Sequence, residues 1–219
     1  MGRLAQTDGL TEFEQDILAT VRDFTVKEII PVATELEHRD EYPAQIVEGM
    51  KQLGLFGLTI PERYDGLGAS LLLYALVVEE IARGCGVALR AFELAIAYAQ
   101  QRHTFGQPIA QHQAIAFKLA EMATKVEAAH QMMVMAARRK DSGHRNDLEA
   151  GMAKYLASEY GKEVVEDAFR IHGGYGFSKE YEIERLYREA PMLLIGEGTA
   201  EIQKMIVGRR LLEEYQVTG

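Results

Sequence analysis

The chain has 219 residues, of which 47% are hydrophobic and 26% charged, and its formal net charge is −9. This composition is typical of a globular protein with a sizeable core and excludes an extended disordered chain. The net negative charge argues against nucleic-acid binding and against a basic face for anionic membranes. We expect a cytoplasmic protein, since no apolar run approaches about 20 residues and the N terminus has no signal-peptide core.

The first 54 residues follow the helical period. Thr11 and Glu14 have the spacing of a capping box at the start of an apolar helical face. Pro31 predicts a kink or a new helix start. Pro43 suits the first turn of a further helix, and Gly54 suits the position just after its end.

The predicted structure of residues 57–86 changes from extended to helical and then breaks. Residues 57–61 are predicted to be extended and to lead into a glycine-containing loop. Ser70 can then cap a strongly apolar helix that reaches Ile81. Residues 84–86, with the sequence Gly-Cys-Gly, predict a sharp break. Cys85 is the single cysteine, so no intramolecular disulfide can form.

The remainder of the chain is predicted to be helical around two turns. Helices are expected over residues 87–101, 111–141, 147–171, 179–188 and 199–215. Residues 102–108 and 173–176 form the turns, and Gly151 and Gly161 predict close helix contacts. Because no segment shows a good strand alternation, the sequence predicts an all-α protein with helix-bundle packing in its C-terminal half.

Glu197 stands between Gly196 and Gly198, after an apolar run and before a helix that Thr199 can cap. Glycine on both sides permits unusual backbone dihedrals and the close approach of another molecule. Poor solvation would raise the carboxyl pKa, as a general base working near neutral pH requires. An acidic residue in an ordinary loop is the open alternative, because perturbed carboxylates are a minority.

Metal and nucleophile sites are less well supported. Glu35 with His38, and Glu127 with His130, have the Glu-x-x-His spacing of di-iron bundles. Such sites need further inward glutamates, and the first pair adjoins a charged run typical of a solvated helix end. Cys85 has no nearby histidine, and no Gly-x-Ser-x-Gly elbow is present. No metal site is therefore predicted.

Two further features can contact phosphate. The turn at residues 173–176 offers backbone N–H groups, although it has no Walker lysine. Arg102 can pair with a phosphate through two parallel hydrogen bonds. A helix stop and a solvated arginine are the plain alternatives for these two features.

Short sequence motifs, among them the Glu197 turn and the two possible phosphate contacts, follow one another along nearly the whole chain. They lie at residues 54–68, 102–113, 119–122, 171–177, 187–190 and 195–203. They include Arg102-His103-Thr104-Phe105-Gly106, Tyr187-Arg188-Glu189-Ala190 and Glu197-Gly198-Thr199. As an ordered set they resemble the acyl-CoA dehydrogenases.

The resemblance implies an FAD-dependent flavoprotein of fatty acid metabolism, which desaturates an acyl-CoA thioester between its α and β carbons. Glu197 would remove the α proton while the β hydrogen leaves as hydride to the flavin, and its backbone N–H would contact the thioester oxygen. The implied cofactor contacts are Arg102, Thr104, Phe105, Gln113, Arg170, Gly173, Gly174, Thr199 and Glu201. Those up to Gly174 would face the flavin of a neighbouring subunit, which implies a homodimer or homotetramer.

The resemblance also implies a missing part. Family members have N-terminal helices, a middle β-domain and a C-terminal bundle, whereas here the first part meets the third at residues 84–86. We therefore expect an N-terminal helical domain over residues 1–86 and an up-down four-helix-type bundle over residues 87–219. The missing domain would cover the flavin and help to hold acyl-CoA, so impaired activity is expected. The alternative is a catalytically silent helical bundle that acts as a scaffold or assembly module.

Overall fold

The computed structural model describes residues 4–85 and 88–216. These residues form two compact units. The N-terminal unit contains residues 7–85 and 137–144, and the bundle unit contains residues 4–6, 88–136 and 145–216. The domain boundary between residues 86 and 87 stays a prediction.

The N-terminal unit contains four helices, α1 (Glu12–Phe24), α2 (Ile30–His38), α3 (Ala44–Gln52) and α4 (Leu71–Cys85). The predicted capping box is confirmed, because the Thr11 side chain accepts from the Glu14 N–H and the Glu14 side chain accepts from the Thr11 N–H. A π-helical turn, Thr25–Ile29, joins α1 to α2, and Pro31 lies in the first turn of α2. Gly54 follows α3 with a left-handed φ of 71°, as expected of a residue after a helix end.

Two predictions for this unit are wrong. Residues 57–61 are not extended, because a 3₁₀ turn at Leu55–Gly57 and further turns fold them back so that Leu58 is buried. The helix predicted to reach Ile81 continues to Cys85, so the break predicted at residues 84–86 does not fall at its first two residues; Gly86 lies outside the described residues. Burial of the apolar face of α4 outweighs the weak helix propensity of one internal glycine.

The core of the N-terminal unit packs α1 and α4 against the turns after α3, through Val21, Leu55, Leu58, Leu73 and Val77. The N terminus of α4 is capped twice. Ser70 Oγ accepts from the Leu73 N–H at 3.1 Å, as predicted, and the Asp141 carboxylate accepts from the first two N–H groups at 2.7 and 2.9 Å.

The bundle unit is built from α5 (Ala88–Gln101), α6 (Gln113–Asp141), α7 (Asp147–His172), α8 (Glu182–Glu189), α9 (Met192–Ile195) and α10 (Ala200–Glu214). One antiparallel pair, β1 (His103–Thr104) and β2 (Gln107–Pro108), joins α5 to α6, with His103 opposite Pro108. The all-α fold and the four-helix-type bundle are confirmed. The two-residue strands were not predicted, because they are too short to show alternation.

Small residues bring the helices of the bundle unit close together. Ala91, Ala95 and Ala99 of α5 are fully buried in its core. A Cβ added to Gly151 would lie 3.1 Å from Val207 Cγ2, and one added to Gly161 would lie 2.9 Å from Leu193 Cδ1. The close contacts predicted at both glycines are therefore confirmed. None of the described helices has the length and apolarity of a transmembrane span.

Candidate active site

Glu197 lies in the tight turn between α9 and α10. Its φ is 53°, in the left-handed region, and the following Gly198 has a φ of 90°. This conformation costs a residue other than glycine about 1–2 kcal/mol. The turn is fixed from α10, because Thr199 Oγ1 caps the helix by accepting from the Ile202 N–H at 3.3 Å. The Gln203 side-chain amide donates to the Glu197 carbonyl at 3.5 Å.

The side chain of Glu197 is exposed in the described chain. Met192 and Ile195, from the apolar run before it, are each 62% exposed. The expectation of a poorly solvated carboxylate is therefore wrong for the chain by itself, because the residues expected to shield it are themselves in water.

The β1–β2 hairpin carries three of the predicted cofactor contacts, Arg102, Thr104 and Phe105. Its two turn residues, Phe105 and Gly106, have φ values of 52° and 82°, the pattern of a tight two-residue hairpin loop. His112 fixes the loop from the start of α6, with Nε2 2.9 Å from Thr104 Oγ1 and Nδ1 3.1 Å from the Gln107 amide nitrogen. Phe105 is 97% exposed, as a residue reaching for another molecule would be.

An aromatic cluster connects this hairpin to the glycine turn after α7. The Arg102 guanidinium lies over the Tyr175 ring, 5.8 Å from its centroid. Tyr175 packs on Tyr181 at 5.1 Å, and Tyr98 stacks on His172 at 4.4 Å. The structure thus brings Arg102 beside the turn that contains Gly173 and Gly174.

The glycines of this turn differ in what surrounds them. A Cβ added to Gly173 or Gly174 would meet nothing within 4 Å, and Gly173 has a φ of 59°. A Cβ added to Gly176 would lie 2.8 Å from the Phe169 carbonyl oxygen. The first two glycines therefore leave room for a ligand to approach the backbone, whereas Gly176 is required for packing.

Arg170 lies one turn of α7 before these glycines and is exposed. Its guanidinium pairs with Glu166, with Nε 2.7 Å from Oε1. Gln113, the first residue of α6, is also exposed and follows His112 directly. Two guanidinium groups beside an open glycine turn fit the diphosphate of a dinucleotide such as FAD.

The predicted residues form two separate groups within the bundle unit. Leu193 of α9 packs against Gly161, and the Lys154 amine donates to the Leu193 carbonyl, so the segment before Glu197 lies beside the middle of α7. Gly173 lies at the end of α7, 12 residues beyond Gly161, or roughly 18 Å along the axis. Glu197, Thr199 and Glu201 therefore form a group apart from Arg102, Gly173 and Gly174.

Sequence reasoning missed the residues that support these groups. Tyr98, Tyr181 and His172 form the aromatic support; they come from three separate segments, and the local sequence does not distinguish them from ordinary core positions. Glu166 was detectable as an i, i+4 partner of Arg170. The part of the chain that the structure describes contains no cluster of three or more His, Cys, Asp or Glu side chains able to hold a metal ion.

Two family models match the chain. The model described as acyl-CoA dehydrogenase, C-terminal domain, matches residues 68–212. The model described as acyl-CoA dehydrogenase, N-terminal domain, matches residues 11–123. The chain belongs to the acyl-CoA dehydrogenase family. The predicted family is therefore confirmed.

Individual acyl-CoA dehydrogenase relatives are similar over part of their length. The chain is 48% identical to a 3-(aryl)acrylate reductase of Clostridium sporogenes over 132 residues, which are 60% of this chain and 35% of that protein. It is 47% identical to an acyl-CoA dehydrogenase of Bacillus subtilis over 131 residues, again 60% and 35%. The chain thus spans about a third of the length of the curated relatives it matches.

Butyryl-CoA dehydrogenase from Megasphaera elsdenii has a similar fold, with a TM-score of 0.88 at 21% identity over 94% of this chain and 100% of that one. Both helical domains of the acyl-CoA dehydrogenases are matched here, but residues 4–85 and 88–216 contain no strands besides β1 and β2. The described part of the chain therefore lacks the middle β-domain of its family.

Proposed function

We propose that this chain is an FAD-dependent acyl-CoA dehydrogenase in which Glu197 removes the α proton of an acyl-CoA thioester. The observation that carries the proposal is the left-handed backbone of Glu197, between two glycines at the capped start of α10. Strain of this kind at a residue other than glycine concentrates at functional sites. The matched family supplies the reaction class.

The chain's own residues have defined roles in this reaction. The Glu197 carboxylate accepts the α proton, and the small neighbours Gly196 and Gly198 let the thioester approach. Negative charge developing on the thioester oxygen is stabilised by the Glu197 N–H and by the positive end of the 15-residue α10. FAD, when bound, supplies the acceptor for the β hydrogen.

We further propose that each FAD is bound by two copies of the chain, in a homodimer or homotetramer. The separation of the two groups supports this assignment, because the segment before Glu197 packs at Gly161, roughly 18 Å along α7 from Gly173. One copy would contribute Glu197, Thr199 and Glu201. Its neighbour would contribute Arg102, Thr104, Phe105, Gln113, Arg170, Gly173 and Gly174 to the same dinucleotide.

The missing β-domain lowers the expected rate. Glu197 is exposed to water, and water weakens the electrostatic interactions on which proton abstraction depends. Slow turnover is therefore expected, with the substrate an acyl-CoA and the location cytoplasmic.

A second candidate function is a catalytically silent assembly module. The specific observation is a row of exposed apolar side chains on α10, where Ile202, Met205 and Leu212 are 44%, 61% and 77% exposed. Such a row is typical of a helix face that packs against another protein.

Flavin absorbance and acyl-CoA turnover distinguish the dehydrogenase from the assembly module. The purified chain is expected to retain yellow flavin after incubation with FAD and to reduce an artificial electron acceptor with acyl-CoA. Glu197→Gln is expected to keep the flavin and lose turnover, whereas Glu163→Gln, at an exposed position of α7, keeps both. A chain that binds no flavin contradicts the dehydrogenase proposal and favours the assembly module. Monomers in light scattering of the FAD-loaded protein contradict the shared site.

A further inference from the structure

The amine of Lys154, on α7, is not among the groups to which the proposed function assigns a role. Its Nζ donates to the Leu193 carbonyl at 2.8 Å, and Lys154 is half-buried there. Leu193 belongs to α9, the four-residue helix that ends just before the Glu197 turn. The two hydrogen-bonded residues are 39 positions apart in the sequence, so this bond fixes the segment before Glu197 to the middle of α7.

The Leu193 carbonyl is the acceptor that Glu197 would use if α9 continued. In an α-helix each N–H donates to the carbonyl four positions earlier, and Glu197 follows Leu193 by four. The last helical bond runs instead from the Gly196 N–H to the Met192 carbonyl, at 2.8 Å, and Gly196 has an extended ψ of 147°. The chain therefore leaves the helix at Gly196, and the Lys154 amine donates to the Leu193 carbonyl in place of the Glu197 N–H.

This arrangement leaves the Glu197 N–H open. It donates to no acceptor within the part of the chain that the structure describes, and Glu197 is exposed. The carbonyl of the same residue accepts from the Gln203 side-chain amide at 3.5 Å. That amide packs on Gly198, where an added Cβ would lie 2.8 Å from Gln203 Nε2. Side chains of α7 and α10 thus donate to the two nearby carbonyls, and the N–H remains available to a ligand.

We propose that Lys154 is a positioning residue, which keeps the Glu197 N–H free for the oxygen of an acyl-CoA thioester by donating to the Leu193 carbonyl itself. This inference rests on the proposed function, which assigns that N–H to the developing negative charge. A donor that is already free and fixed needs no rearrangement during the reaction, and loss of one such donor typically lowers kcat by about 10²–10³-fold.

Hydrogen exchange of the Glu197 amide tests the proposal in the full chain, without cofactor or substrate. Lys154→Met keeps a flexible apolar stem and removes the amine, so the Leu193 carbonyl is expected to take the Glu197 N–H as its donor. Exchange of this amide with water, measured by NMR, should be fast in the parent chain and about fivefold slower in Lys154→Met. A substitution that only loosened the turn would not protect the amide, so the direction of the change identifies the competition between the two donors.

Two further variants control for loss of the lysine side chain itself. Lys154→Arg retains N–H donors at the end of a long stem and should keep the exchange of the Glu197 amide fast. Lys162→Met, at an exposed position of the same helix, should also leave that exchange unchanged. Unchanged exchange in Lys154→Met, or slow exchange in the parent chain, overturns the positioning role.

Deuterium exchange at the α carbon of acyl-CoA, catalysed by the FAD-loaded chain, separates this inference from the proposed function. Lys154→Met should lower its rate about tenfold with little change in KM, because the N–H acts chiefly on charge that develops in the transition state. Equal rates in the parent chain and Lys154→Met overturn the inference and leave the proposed function standing. A parent chain that exchanges no α hydrogen overturns the proposed function and with it the role of the N–H, even if the amide is protected in Lys154→Met.

Discussion

Tyr98 stacks on His172 within the bundle unit, with ring centroids 4.4 Å apart and an interplanar angle of 26°. His172 is buried, and its Nδ1 lies 2.7 Å from the Ala168 carbonyl oxygen. Burial lowers the pKa of His172 from its ordinary value of 6.5, against a smaller opposing contribution from that hydrogen bond. The imidazole is therefore held neutral, with Nδ1–H donating to the carbonyl.

This burial predicts a loss of stability in mild acid. Because the pKa of His172 is lower in the folded chain, the unfolded chain takes up the proton first as the pH falls. The contribution is complete above about pH 6.5 and is lost as the pH falls toward the folded-state pKa. From about pH 7.5 to about pH 6, His172 should cost the parent chain up to about 0.8 kcal/mol of unfolding free energy. Urea unfolding at both pH values measures this difference.

His172→Gln should remove that part of the pH dependence, and His144→Gln, in an exposed loop, should retain it. Carboxylates contribute equally to all three proteins over this range. An identical pH dependence in the parent chain and His172→Gln would contradict the prediction.

The hairpin that carries Arg102 depends on His112. His112→Leu leaves the Thr104 hydroxyl and the Gln107 amide without their imidazole partner, a loss of about 1 kcal/mol of local stability. The Ile109 N–H, which donates to the Arg102 carbonyl at 2.8 Å, should then exchange with solvent about fivefold faster. Hydrogen exchange followed by NMR measures this rate, and an unchanged rate would show that the imidazole does not stabilise the hairpin.

The elements of the fold were largely predictable because their signals are local. The capping residues Thr11 and Thr199 and the long uninterrupted period of α6 are read from neighbouring positions. The prediction of an extended segment at residues 57–61 is wrong because their apolar, β-branched composition favours a strand, whereas burial of Leu58 decides their conformation. That burial depends on residues distant in sequence.

The site was predictable in its residue types and not in its arrangement. Glycines around Glu197 indicated an unusual backbone conformation, which is confirmed by its left-handed φ. The exposure of the Glu197 side chain to water depends on whether other residues cover Met192 and Ile195. The local sequence does not show whether they are covered. Likewise, the Tyr187 ring of α8 stacks on Phe169 of α7, and the local sequence around either residue does not reveal that these two helices meet there.

The glycine turn allows a matched pair of substitutions that separates binding from folding. Gly174→Ala places its methyl group in open space and should change the unfolding free energy by less than about 0.5 kcal/mol. It should still weaken FAD binding, because that space is where the dinucleotide would approach. Gly176→Ala forces a methyl group to within 2.8 Å of the Phe169 carbonyl and should destabilise the fold by about 1–3 kcal/mol.

Thermal unfolding and FAD titration of the two variants give the comparison. Equal FAD affinity in the parent chain and Gly174→Ala would exclude close approach of the ligand at this glycine. Full stability of Gly176→Ala would contradict the packing assignment.

The backbone of Glu197 predicts a conflict between stability and activity. Glycine adopts a φ of 53° without the strain that glutamate incurs, although glycine loses more backbone entropy on folding. Glu197→Gly should therefore stabilise the chain by about 0.5–1 kcal/mol while removing the base. Glu197→Gln keeps the strained backbone and should leave the unfolding free energy within about 0.3 kcal/mol of the parent chain.

Both variants should lack acyl-CoA turnover, so the stability difference between them reports the backbone alone. Urea unfolding near neutral pH measures that difference, and deuterium exchange at the α carbon of acyl-CoA measures proton removal independently of any electron acceptor. If Glu197→Gly were less stable than Glu197→Gln, the left-handed turn would not be strained. If either variant still exchanged the α hydrogen, the base would lie elsewhere, and the conformation of Glu197 would serve the start of α10 rather than the reaction.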